Sequence, residues 1–149
     1  MRGYRLATVS GCALSALLGL TALTGQSVRD AAMAQEKAEQ RVFEMRTYTT
    51  HPGKLNALNK RFRDHTVKLF EKHGITNVGY WVPMDGDKAQ NTLIYILAHK
   101  SKDSAAASWK AFGEDPDWKT AREESEKGGK IVQKVESVFL KPVDYSAIK

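Results

Sequence analysis

Cysteine is almost missing from the chain: among 149 residues there is one, Cys12, and it lies in an apolar N-terminal stretch. If that stretch is removed, the remainder can form no disulfide and offers no thiol nucleophile or thiolate metal ligand. Glycine-rich phosphate loops are absent, as is the Gly-x-Ser-x-Gly turn of serine hydrolases, so nucleotide use and serine-hydrolase chemistry are not expected. The four histidines, His51, His65, His73 and His99, show no ligand spacing. His65 and His73 are about two helical turns apart, too far to share one ion. Asp85-Gly86-Asp87 lacks the other ligands of a calcium loop and suits a turn better. No metal and no cofactor are therefore expected.

Residues 1–34 have the layout of a signal peptide. Arg2 and Arg5 supply the positive start, residues 6–23 are uncharged and mostly apolar, and Ala32-Met33-Ala34 places small residues where a signal peptidase cuts, before Gln35. The expected location is periplasmic or secreted, with no stable membrane span after cleavage. An uncleaved anchor is the alternative, because the apolar run approaches the ~20 residues that cross a bilayer. Val9-Ser10-Gly11-Cys12 resembles a lipid-attachment site but comes too early in the run. Loss of the leader lowers the net charge from +6 to +4, and the remaining charges of the two signs are interspersed, as over residues 119–130. That pattern suits a solvated surface, and no nucleic-acid partner is expected.

Residues 35–41 form a polar lead-in to one domain, 42–149. Residues 42–50 are β-branched and aromatic and predict a strand, with Glu44, Arg46 and Tyr48 on one face and Phe43, Met45, Thr47 and Thr49 on the other. Leu55, Leu58, Phe62, Thr66 and Leu69 predict a helix over 55–72, closed by Gly74, with His65 on the flank of the stripe, facing inward or to the rim. Strands are predicted at 75–83 and 92–99, joined by the Asp85-Gly86-Asp87 loop. Ser101 or Asp103 caps a second helix that carries Ala105, Trp109 and Phe112, and Asp115-Pro116 opens a short third one that Gly128-Gly129 ends. A last strand covers 131–140. This order is the ferredoxin-like split βαβ arrangement, an α+β fold with helices on one face of an antiparallel sheet. The uncovered face needs a polar surface or a partner, and a symmetric homodimer supplies one.

Phe43-Glu44-Met45-Arg46-Thr47-Tyr48, then Gly53, His65, Gly74, Trp81, Leu93-Ile94-Tyr95, and the Trp109-x-x-Phe112-x-x-Asp115-Pro116-x-Trp118 segment together resemble a NIPSNAP domain over residues 42–140. The resemblance implies a dimeric α/β barrel in which two ferredoxin-like units pack sheet against sheet, with a cleft between each sheet and its helices. It supplies no reaction, since a fold hosts many functions.

Within that frame Glu44 and Arg46 form an expected ion pair, completed by Tyr48 and His65 through hydrogen bonds and able to orient a carboxylate or move a proton. A purely structural pairing of the two is the competing reading. His65, Tyr48 and Tyr95 are the candidates for proton handling, and Glu44, Arg46 and Trp81 those for substrate binding. Trp109 and Phe112 are expected in the core, and Asp115 as a cap. The expected role is an exported homodimeric domain that binds a small molecule or a protein. A cofactor-independent monooxygenase- or isomerase-like enzyme using the cleft is the alternative, and a haem-binding barrel ranks third.

Overall fold

The computed structural model describes residues 25, 27–30 and 41–149, and the chain divides into two units, residues 1–36 and 37–149. In the first unit Gly25 and residues 27–30 are helical; otherwise the expected leader lies outside the described residues, as do residues 35–40. Among the described residues no helix is long and apolar enough to cross a membrane.

The second unit opens with β1, Val42–Thr50, whose nine residues supply the β-branched and aromatic side chains that favour a pleated, half-buried strand. Helix α1 follows without a break through Leu55–Arg61, a π turn over Phe62–Thr66, and Val67–Lys72. Its end is a Schellman motif: Gly74 adopts φ +73°, its N–H donates to the Glu71 carbonyl and that of Ile75 to the Phe70 carbonyl. Strand β2, Thr76–Trp81, and strand β3, Thr92–His99, then pair through a connection containing a turn of 3-10 helix, Asp87–Gln90.

Ser101 caps helix α2, Lys102–Glu114, in a reciprocal box with Ser104. Asp115 caps helix α3, Pro116–Glu126, accepting from the Asp117 N–H at 2.8 Å ahead of a proline at the first helical position. The same carboxylate also receives His73 Nε2 at 2.6 Å and Lys72 Nζ at 2.9 Å, so one side chain ties the end of α1 to the start of α3. Hydrogen bonds from Lys72 and His73 hold its pKa well below the ordinary aspartate range. Asp115→Ala is expected to lower the melting temperature by several degrees in a thermal scan, whereas Asp115→Asn, which keeps the cap and loses the charge, recovers part of the loss.

Strand β4, Val132–Leu140, pairs with the free edge of β1, giving a fully antiparallel sheet of order β2-β3-β1-β4. That order is the ferredoxin-like one, and the domain is α+β as its element order predicts. The helices cover one face. Leu58, Tyr95, Leu97 and Ile131 there are wholly buried, and Phe62, Phe70, Tyr80, Tyr95 and Phe112 meet in edge-on, tilted or stacked pairs. The other face presents Met45, Ile94 and Ile96, each partly buried, with Val138 at 50% and Trp81 at 52% exposure.

Two placements correct the sequence reading. His65 is exposed on the outer side of α1, where the π turn carries Arg63, Asp64 and His65 outward together. Its signature is the Val67 N–H reaching back five residues to the Phe62 carbonyl. One added residue keeps Phe62 and Thr66 both against the sheet, and the intervening arc faces solvent. Trp81 lies on the open face: it pairs with Ile94, and its indole lies over Gly79, where an added Cβ would sit 2.5 Å from the ring. The neighbouring Tyr80 takes the helix side and stacks on Tyr95.

Candidate functional site

Glu44 projects from the middle of the helix-covered face, where a carboxylate is costly unless its oxygens are satisfied. Four donors supply that. Oε1 accepts from Arg46 Nη1 at 2.8 Å and from the Ser137 hydroxyl at 2.6 Å, while Oε2 accepts from Trp109 Nε1 at 2.7 Å and His99 Nε2 at 3.1 Å. An ionised carboxylate can only accept, so His99 carries its proton on Nε2, and its buried Nδ1 has no hydrogen-bond partner among the described residues. Burial pushes the Glu44 pKa upward, but hydrogen bonds from His99, Ser137 and Trp109, and then the charge of Arg46, bring it down to about 2.

Arg46 is fixed as firmly. Its guanidinium lies 4.2 Å from the centre of the Trp109 ring and 5.7 Å from that of Tyr48. Desolvation works against its charge, yet the Tyr48 and Tyr95 hydroxyls and Glu44 raise its pKa above the ordinary value. Burial, with Tyr48 beside it, pushes the Tyr95 phenol well above its normal range, so Tyr95 stays neutral. Its hydroxyl makes no hydrogen bond of ordinary geometry among the described residues.

The structure therefore brings Glu44, Arg46, Tyr48 and Tyr95 together and leaves His65 and Trp81 elsewhere. His99, Trp109 and Ser137 replace His65 as the partners of the acid. A carboxylate with four donors and a pKa near 2 is a poor proton acceptor at neutral pH. What it does well is hold Arg46, the indole of α2 and strand β4 in one arrangement. Because the folded pKa lies below the ordinary 4.5, Glu44 contributes stability above pH 4.5 that is lost as the pH falls toward 2. Urea unfolding at stepped pH is expected to show that loss, with a smaller slope in Glu44→Gln.

A cleft of about 370 Å³ opens beside Tyr48, between β1 and β4 on one side and α1 and α3 on the other. Tyr48, Trp118, Val132 and Val135 form its apolar walls, and Arg61, Arg122, Lys130, Lys134 and Glu126 line the rest. Arg61 is buried, donates to Ser125 at 3.2 Å and Glu126 at 3.1 Å, and lies 5.3 Å from the Trp118 ring centre. None of these cations was singled out by the sequence reading, because lysines and arginines at helix ends and strand edges look like ordinary solvated surface. Among the described residues no three His, Cys, Asp or Glu side chains gather as a metal would require.

No curated protein matches the chain. Among solved structures, a NIPSNAP family protein of unknown function from Agrobacterium tumefaciens is 23% identical, with a TM-score of 0.64, covering 74% of this chain and 96% of its own. A NIPSNAP domain protein from Burkholderia xenovorans is 24% identical, with a TM-score of 0.59 and coverage of 70% and 97%. A monooxygenase from Streptomyces coelicolor, solved with nanaomycin D, is 12% identical, with a TM-score of 0.50 and coverage of 74% and 95%. At these identities the likeness is one of fold. The NIPSNAP family model matches residues 43–147, from the second residue of β1 to the C-terminal tail, and on that extent the chain belongs to the NIPSNAP family.

Proposed function

We propose that the protein is exported, pairs with a second copy through the open face of its sheet, and binds a small molecule in the cleft beside Tyr48 without transforming it. The observation that carries this reading is the inequality of the two sheet faces. One is sealed by helices around an aromatic core and keeps a cleft at its margin; the other leaves Met45, Ile94 and Ile96 only partly buried and Val138 and Trp81 about half exposed. A domain of this size buries a modest core, and pairing adds the burial that its open face lacks. Export rests on the signal-like residues 1–34 and implies a periplasmic or secreted location.

Binding ranks ahead of catalysis because the groups best placed for chemistry are occupied. Glu44 is saturated, Arg46 is paired with Glu44 and lies against the Trp109 and Tyr48 rings, and Tyr95 is held neutral. The second reading, a cofactor-independent monooxygenase- or isomerase-like enzyme, draws on Tyr48 and Tyr95: a neutral buried phenol with a poorly satisfied hydroxyl is a ready hydrogen-bond donor to a substrate oxygen. Native mass spectrometry of the domain purified from its own host tests the main reading. A dimer mass with a retained small molecule is expected. A monomer free of ligand at micromolar concentration overturns it, and conversion of the retained molecule, abolished in Tyr95→Phe, favours the enzyme.

A further inference from the structure

The cleft has a chemical character of its own. Four basic side chains and one acidic one line it. Glu126 is already committed, accepting from Arg61 at 3.1 Å and lying 3.6 Å from Arg122 Nε. Lys134 pairs along its own strand with Glu136 at 2.8 Å, and Lys130 has no ion pair among the described residues. The balance is positive, and a concave site with apolar walls concentrates that field. Its apolar walls are the Tyr48 and Trp118 rings together with Val132 and Val135. A volume of about 370 Å³ falls in the range of small-molecule sites.

We propose that this cleft binds a planar aromatic anion, its ring between Tyr48 and Trp118 and its carboxylate or phosphate on Lys130 and Arg122. The inference deepens the binding role proposed above by naming its ligand class, but it does not require the second copy. Arg122 suits the anionic end because a guanidinium offers two parallel donors to either oxyanion, while Lys130 adds a mobile charge. Arg61 acts differently. Buried and bonded to Ser125 and Glu126, it lies over the Trp118 ring at 5.3 Å and fixes it in place.

Titration of the mature domain with 2-naphthoate, 2-naphthyl phosphate and neutral 2-naphthamide, followed by calorimetry, tests it. At least one anion is expected to bind about tenfold or more tightly than the amide, and which one does so separates a carboxylate from a phosphate ligand. Lys130→Glu and Arg122→Glu reverse exposed charges, the second with loss of the surface pair to Glu126; each is expected to weaken the anion about tenfold and to leave the amide unchanged. Equal binding of all three probes overturns the inference, as does anion binding indifferent to both charge reversals. A monomeric domain that binds an anion in this way removes the pairing and keeps the cleft's chemistry. A dimer that prefers the amide keeps the pairing and removes the anion.

Discussion

Glu44→Gln is expected to lower the unfolding free energy by about 3 kcal/mol or more, the cost of breaking a buried charge pair while keeping its shape. The size follows from which donors can adapt. The Ser137 hydroxyl can rotate and His99 can change tautomer, so both can accept where they formerly donated. Arg46 and the Trp109 indole can only donate, and they approach opposite oxygens, Oε1 and Oε2. A glutamine amide can turn either way, and either way its NH2 group meets one donor that cannot reverse. Ser137→Ala, which removes one of four bonds and leaves the charge, is expected to cost only about 1 kcal/mol. Urea unfolding reads both as a shift in midpoint at constant slope. A Glu44→Gln loss as small as that of Ser137→Ala would show that the network does not depend on the charge.

Much of the fold is legible along the chain because its signals are local. Residues 42–50 and 92–99 carry their β-forming side chains in unbroken runs, and both strands take those limits. Helix ends are written in single residues: Gly74, Ser101 and Asp115 each stop or start a helix where expected. The site is less legible, because its partners are remote. Glu44 meets His99, Trp109 and Ser137 across separations of 55, 65 and 93 residues, and only strand register and helix docking bring them together. A periodic stripe places His65 beside the core, and one π turn, invisible to α-helical spacing, moves it out. Trp81 fails for a related reason. The register of β2 shifts between Asn77 and Gly79, and such a slip decides which face a later side chain takes.

The open face yields the other large effect. Met45→Glu is expected to raise the dissociation constant of the proposed dimer by at least about a hundredfold, so that a protein expected to sediment as a pair at micromolar concentration becomes a monomer. Met45 stands midway across the face, opposite Ile96 on β3 and Val138 on β4, so a carboxylate there has no cation directly across either strand. In the free monomer Met45 is only partly buried, so the carboxylate there reaches water and the fold is expected to survive. In the pair it loses water and gains no counter-charge, a cost of several kcal/mol for each copy. Lys68→Glu, on the outer side of α1, is the control and leaves the dimer intact. The exposed indole of Trp81 gives an independent reading: its emission shifts to the blue when pairing covers it, and Met45→Glu abolishes that shift. A variant that remains paired would place the contact on another surface and leave the apolar sheet face without an occupant.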